Sequence, residues 1–246
     1  MLNRFLTSQE EEFRLRRSAL IDETDKNFIA DSPGLFLDRP RAQSMITRYE
    51  MYKKILEVPG DVIELGIYKG NSFSWIANLS VILEPYSINR RFIGFDTFEG
   101  FSSINNDIDV EMAAGANVTT GDFRDTNLDT INAALFNIDI VRPVNKIRRF
   151  ELVKGDIVDT LPAYLSAHSW MTCAMLILDA DLYKPTKVGL ECVLPIMPKG
   201  GLILFDEFNY EKFPGETLAL KETLKINGLS LRKMPYESCS AYAIIE

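Results

Sequence analysis

The sequence contains few of the side chains that usually carry nucleophilic or zinc chemistry. Its 246 residues include one histidine and three cysteines. The cysteines are odd in number and form no close pair, so they predict neither a disulfide framework nor a Cys-x-x-Cys metal site. The single histidine, His168, argues against a hydrolase that depends on a histidine base.

Long apolar runs are missing as well. No stretch approaches the roughly 18–20 residues that a membrane span requires. The start of the chain is too acidic and too polar for a signal peptide. We therefore expect a cytoplasmic protein that has no membrane partner.

Positive charge is in deficit. Lys and Arg number 27 against 35 Asp and Glu, which gives a formal net charge of -8. Such a charge repels phosphate backbones, so we expect a small-molecule substrate and no nucleic-acid partner. The length and the 46% hydrophobic content suit one large core. We expect a single domain over residues 1–246, in which 1–57 form N-terminal helices or a lid and 58–246 form the catalytic core.

Short apolar runs alternate with longer amphipathic stretches after about residue 40, a pattern typical of a parallel sheet flanked by helices. The predicted strands are 61–67, 91–96, 151–156, 171–179 and 201–206. The segments 229–237 and 240–246, joined at Ser238 and Cys239, predict a closing antiparallel hairpin. We therefore predict an α/β fold with a mostly parallel sheet, helices on both faces and one reversed strand near the edge.

The remaining segments predict helices and an insertion. Residues 9–25 and 41–56 have helical periodicity, and these N-terminal helices are plausible contacts of a homo-oligomer. The weakly apolar segment 101–149 predicts a lid together with a helix near 128–136. Four of the five core strands end in Asp, and ligands of open α/β sheets lie beyond these strand ends. An Asp at each position could instead cap the following helix.

The first predicted strand leads from Glu64 into a glycine-containing loop. Gly66 allows a tight turn and a close approach of the backbone to a ligand, and Ser72 stands at the start of the next helix. The G-x-G-x-x-G spacing that holds a pyrophosphate is absent. An acid before such a loop suits a cofactor that carries an ammonium group and no phosphate, and S-adenosylmethionine is such a cofactor.

Two further strand ends complete the predicted cofactor site. Asp96 could accept hydrogen bonds from both ribose hydroxyls, with Thr97 and Phe98 lining the adenine pocket. Asp156 could receive the adenine amino group while Ile157 packs on the ring. Because NAD sites use an acidic residue in a similar way, an NAD-linked sugar oxidoreductase remains an alternative at this point.

A third group of acids predicts a metal site. Asp179 and the pair Asp206 and Glu207 follow two strands that a right-handed crossover would make neighbours, about 5 Å apart. Three carboxylates without His or Cys select a hard cation, with magnesium as first choice. The alternative is that the two aspartates cap helices while Glu207 faces water.

Four motifs together resemble those of the macrocin O-methyltransferase family. They are D-x-D-L-Y-x-P-T from Asp179, G-G-x-x-x-F-D-E ending at Glu207, G-F-D-T-F-E-G-F from Gly94, and K-G-D-x-x-x-T-L-P from Lys154. F-P-G-E-T-x-A-L from Phe213 is similar to the branch that contains the calicheamicin-pathway sugar methyltransferase.

The resemblance implies a seven-stranded, Rossmann-like class I methyltransferase fold, S-adenosylmethionine, and a divalent ion held at Asp179, Asp206 and the next acid. It also implies sugar hydroxyls as acceptors. This chain departs from the Asp-Asp pair of many members, because Glu207 stands at the second position. Asp179 is the candidate general base in addition to being a ligand. A non-catalytic protein that has kept the S-adenosylmethionine pocket is a further alternative.

Overall fold

The computed structural model describes residues 7–113, 115, 117–237 and 239–246. It divides the chain into two compact units, of which the first ends at Gln43 and the second is Ser44–Glu246. The boundary falls inside the predicted N-terminal helical region. A single domain over 1–246 stays a prediction, and the two units are described separately.

The first unit contains two helices, α1 (Ser8–Glu23) and α2 (Lys26–Asp31), and the start of α3 (Arg39–Lys54). Helix α1 begins at a capping box in which Thr7 and Glu10 exchange hydrogen bonds. None of its residues is buried, although it carries Phe13, Leu15 and Leu20. Helices over 9–25 and 41–56 were predicted, and α1 and α3 match them within two residues.

The second unit is built on a seven-stranded sheet with the order β3-β2-β1-β4-β5-β7-β6. The strands are β1 (Asp61–Leu65), β2 (Phe92–Asp96), β3 (Phe150–Lys154), β4 (Cys173–Leu178), β5 (Leu202–Phe205), β6 (Arg232–Lys233) and β7 (Ala241–Ile244). The first five strands pair in parallel, and β7 runs antiparallel to both β5 and β6. The predicted fold class is confirmed; Ser238, in the predicted hairpin turn, lies outside the described residues.

Helices cover both faces of the sheet and create two cores. The remaining helices are α4 (Asn71–Leu83), α5 (Leu128–Ile140), α6 (Ile157–Ala167), α7 (Tyr183–Val193) and α8 (Gly215–Thr223). Residues of α3, α4 and α5 pack on one face, and residues of α6, α7 and α8 pack on the other. The central strands β1 and β4 are buried along their whole length, as expected for parallel strands between two helical layers.

The segment 101–149 contains a π-helical turn, Asn106–Glu111, in addition to α5. Asp109 in this turn is buried, and its carboxylate accepts hydrogen bonds from the backbone N–H of Asn105 at 2.7 Å and of Tyr183 at 3.0 Å. The insertion is therefore anchored at the start of α7. No helix in the described part of the chain is both long and apolar enough to cross a membrane.

Gly66 lets the ends of β1 and β4 meet. Its φ is +91°, and a Cβ atom at this position would lie 1.9 Å from the carbonyl oxygen of Asp179. We expect Gly66→Ala to lower the free energy of unfolding by at least about 3 kcal/mol, measured from urea denaturation. The control is Gly34→Ala, where a Cβ atom meets nothing within 4 Å. Equal stabilities of the two variants would contradict this close approach.

Candidate active site

The carboxyl ends of the parallel strands gather most of the predicted site residues. Glu64 belongs to β1, Asp96 ends β2, Asp179 follows β4 and Asp206 follows β5. Strands β1, β2, β4 and β5 are consecutive neighbours in the sheet, so these acids lie along one edge. Asp156 follows β3 and begins α6 as its N-cap residue.

Glu64 is the most deeply buried of these acids. Its exposure is 0%, and neither carboxylate oxygen has a hydrogen-bond partner in the described part of the chain. Burial raises the pKa of Glu64 to about 7, against the opposing effects of Arg48 and Ser72. A buried carboxylate without partners is costly. Its environment therefore fits a ligand that brings a cation, such as the ammonium group of S-adenosylmethionine.

The loop between β1 and α4 is held by hydrogen bonds to Asp96. Its Oδ2 accepts from the backbone N–H of Ile67 at 2.7 Å and of Tyr68 at 2.9 Å, and its Oδ1 accepts from Phe98 at 2.6 Å. A carboxylate has about four lone-pair positions, so one remains for a ligand. The ribose contact of Asp96 stays a prediction, and the structure gives this residue a second role in shaping the loop.

Thr97 and Phe98 form the turn after β2. The Thr97 hydroxyl donates to the carbonyl oxygen of Gly100 at 2.6 Å and accepts from the backbone N–H of Glu99 at 3.1 Å. Phe98 is buried and has a φ of +53°. The turn thus uses the Thr97 hydroxyl internally, and the lining of an adenine pocket by these two residues stays a prediction.

Asp156 caps α6 and also holds the insertion. Its Oδ1 accepts from the backbone N–H of Val158 at 2.9 Å, while its Oδ2 accepts from the hydroxyls of Ser102, at 2.9 Å, and Ser103. Although burial alone would raise it, these hydrogen bonds lower the pKa of Asp156. An adenine amino group would share this carboxylate with two serines. Ile157 is buried in the core of the α6 face.

Three acids lie close enough to share one cation. Carboxylate oxygens of Asp179, Asp181 and Glu207 all lie within 4.8 Å of one another, and all three residues are half-buried. Burial raises the pKa of Asp181 to about 6 and the pKa of Asp179 and of Glu207 well above their ordinary values. The charge of Asp206 adds to each rise, whereas a hydrogen bond with Glu207 opposes the rise at Asp181. Like charges at this separation favour protonation or a bound cation.

Asp206 is engaged differently from the prediction. The guanidinium Nη2 of Arg48, on α3, lies 2.7 Å from Asp206 Oδ1 and 3.2 Å from Asp179 Oδ2. The predicted ligand set therefore comes together in part: Asp179 and Glu207 join Asp181, whereas Asp206 forms an ion pair. The side chains of Asp179 and Asp206 remain 28% and 25% exposed, so both acids are reachable from solvent.

Three charged residues of this site were not predicted from the sequence: Arg48, Asp181 and Glu216. Arg48 stands three and four positions before the buried Met51 and Tyr52, a spacing that places it on the buried face of α3. Asp181 is the second acid of the D-x-D motif. Glu216 is completely buried, its Oε2 accepts from the Glu207 backbone N–H at 3.1 Å, and its Oε1 has no partner among the described residues.

This sheet order, with a reversed seventh strand and acids along its carboxyl edge, defines a Rossmann-like class I methyltransferase fold. The family model for macrocin O-methyltransferases matches residues 5–228. The chain therefore belongs to the macrocin O-methyltransferase family, whose members are S-adenosylmethionine-dependent O-methyltransferases. The resemblance drawn from the motifs is confirmed, and the NAD-linked alternative is set aside.

Individual relatives agree with this family. The chain is 27% identical over 154 residues to the 8-demethyl-8-(2,3-dimethoxy-alpha-L-rhamnosyl)-tetracenomycin-C 4'-O-methyltransferase of Streptomyces olivaceus, a match that covers 61% of this chain. The chain spans about half, 54%, of the length of that curated relative.

Two solved structures are similar over most of their length. The crystal structure of the calicheamicin methyltransferase CalS11 superposes with a TM-score of 0.90 at 30% identity and covers 97% of this chain and 93% of its own. The apo structure of CalS11, named as a TDP-rhamnose 3'-O-methyltransferase of calicheamicin biosynthesis, has a TM-score of 0.82 at 28% identity, with 99% and 98% covered.

Proposed function

We propose that this chain transfers the methyl group of S-adenosylmethionine to a sugar hydroxyl with the help of a divalent cation, first of all magnesium. The observation that carries the proposal is the acid cluster of Asp179, Asp181 and Glu207 at the same sheet edge as the buried acid Glu64. The printed names of two relatives support a sugar acceptor, because both name a rhamnose-type sugar.

The residues at the β1 end suit the cofactor. Glu64 would hold the ammonium group, because it is an unpaired carboxylate at the end of a buried strand. Gly66 allows the tight turn from β1 into the loop, and Ser72 presents a hydroxyl at the start of α4. Asp96 would accept from the ribose with its remaining lone pair, and Asp156 with Ile157 would flank the adenine.

The acid cluster suits a hard cation, since its donors are all carboxylate oxygens. Glu207 Oε2 is buried without a hydrogen-bond partner among the described residues, so it is available as a metal ligand. Asp179 and Glu207 belong both to the set predicted from sequence and to the close group in the structure. The third ligand is either Asp206, as predicted from sequence, or Asp181.

A divalent cation would supply Lewis acidity that lowers the pKa of a bound hydroxyl. Asp179 would orient that hydroxyl and accept its proton, because one of its oxygens stays free of Arg48. Arg48 fixes the other oxygen and thereby the rotation of the carboxylate. Two neighbouring hydroxyls would chelate the cation better than one, so we propose a vicinal diol in the acceptor.

A methyl-transfer assay tests the proposal directly. We expect labelled S-adenosylmethionine to modify a nucleotide-linked or glycoside-linked deoxysugar with a vicinal diol, with loss of activity in chelator and recovery on adding Mg²⁺. An acceptor with a single free hydroxyl at the same position is the matched control for the diol. Tight cofactor binding without product from any sugar would favour a non-catalytic role, and full activity in chelator would remove the metal from the mechanism.

A further inference from the structure

Arg48 is a buried cation whose position is unusual for its residue type. It lies on α3 with 1% exposure, on the face that carries Met51 and Tyr52 into the core. A guanidinium in such a place needs acceptors for its N–H groups, since each unpaired buried donor costs free energy. The acceptors of its N–H groups therefore indicate the role of this side chain.

Two of the three guanidinium nitrogens are satisfied within the protein. Nε donates to the Ser72 hydroxyl at 3.0 Å, and Nη2 donates to both Asp206 and Asp179. The third nitrogen, Nη1, is buried and has no acceptor among the described residues. If Arg48 were only a counter-ion for the two aspartates, this third nitrogen would have no function.

The unpaired nitrogen has an unpaired counterpart of opposite charge. Glu64 is fully buried, lacks hydrogen-bond partners among the described residues, and interacts electrostatically with the Arg48 guanidinium. Ser72, which Arg48 contacts, stands at the start of α4 beside the cofactor loop. This corner of the site thus contains one unmatched carboxylate and one unmatched guanidinium N–H.

An amino-acid zwitterion has the complementary pair of charges. We propose that Arg48 binds the carboxylate of the amino-acid end of S-adenosylmethionine while Glu64 binds its ammonium group, an inference that rests on the proposed cofactor. Arg48 then contacts the cofactor and two acids of the cation site with one side chain. A charge-assisted bond to a guanidinium is among the strong hydrogen bonds in proteins.

The test compares S-adenosylmethionine with its decarboxylated form, which keeps the sulfonium and the ammonium. Isothermal titration calorimetry gives both dissociation constants. We expect Arg48→Lys to weaken the binding of S-adenosylmethionine about 10–100-fold and the binding of the decarboxylated form less than about threefold. Glu64→Gln is expected to weaken the binding of both ligands, because both carry the ammonium group.

Arg90→Lys is the matched control. Arg90 is also buried, pairs with Glu84, and donates to backbone carbonyls of Ile55, Val58 and Gly60. It should leave both dissociation constants at the wild-type values. Equal losses for both ligands in Arg48→Lys, or no loss for either, would overturn the assignment of the carboxylate to Arg48.

The wild-type protein provides a second measurement if Arg48→Lys does not fold. We expect it to bind S-adenosylmethionine at least about tenfold more tightly than the decarboxylated form. Equal wild-type affinities would contradict the role of Arg48 and leave the cofactor assignment intact. Wild-type protein that binds neither ligand would instead contradict the proposed function itself.

Discussion

Replacing Asp179 with asparagine is expected to lower the methyl-transfer rate by roughly 10²–10⁴-fold, the contribution of a positioned general base. The substitution keeps the size of the side chain and one oxygen for Arg48. It removes a negative charge from the proposed cation site and the group proposed to take the proton. The measurements are kcat with saturating Mg²⁺ and the dissociation constant of S-adenosylmethionine, which we expect to change little.

Asp129→Asn is the control for Asp179→Asn. Asp129 is an exposed acid in the first turn of α5, and its replacement should leave kcat unchanged. Wild-type kcat in Asp179→Asn would contradict both the base and the ligand role. Mg²⁺ titrations of Asp181→Asn and Asp206→Asn then identify the third ligand, because only the variant that loses a ligand weakens Mg²⁺ binding by removing a donor.

The core strands could be predicted because their signals are local. The runs that became β1, β4 and β5 are short, apolar and bounded by turn residues, and parallel strands buried on both faces require this composition. The ends of parallel strands share one edge of a sheet. The gathering of Glu64, Asp96, Asp179 and Asp206 follows from topology alone.

The pairing of side chains within the site could not be predicted in the same way. Arg48 and Asp206 are 158 positions apart, and only packing of α3 on the sheet brings them together. The periodicity of α3 shows that residue 48 faces inward, but it does not show which strand end it reaches. Asp181 has a φ of +61°. The spacing of the D-x-D motif does not predict this backbone conformation.

The double roles of Asp96 and Asp156 illustrate a further limit. From the sequence, a ligand contact and a helix cap are alternatives for such a residue. Asp156 caps α6 and binds two serines of the insertion, and Asp96 organises the loop after β1. A carboxylate with four acceptor positions can support the backbone and still contact a ligand. The residue type alone therefore does not divide these functions.

Glu64→Gln is expected to make the protein without cofactor more stable at alkaline pH. Burial raises the pKa of Glu64 from its ordinary 4.5 to about 7 in the folded chain. Between these values the folded state binds a proton that the unfolded state has lost, so stability falls as the pH rises through this window. Above it the accumulated loss is about 3 kcal/mol. The glutamine variant avoids this loss because it is neutral throughout.

The same substitution should weaken the binding of the cofactor. In the wild type the affinity for S-adenosylhomocysteine should rise as the pH passes through about 7, where Glu64 ionises; in Glu64→Gln it should be about 10–100-fold lower and flat in pH. Urea denaturation and calorimetry at pH 5 and pH 8 measure the two effects. Gln is uncharged but nearly the same shape, so higher stability together with weaker binding follows only if Glu64 is an unpaired acid held for a cationic ligand. A glutamine variant that is less stable than wild type at pH 8 would show that the carboxylate is already paired inside the protein.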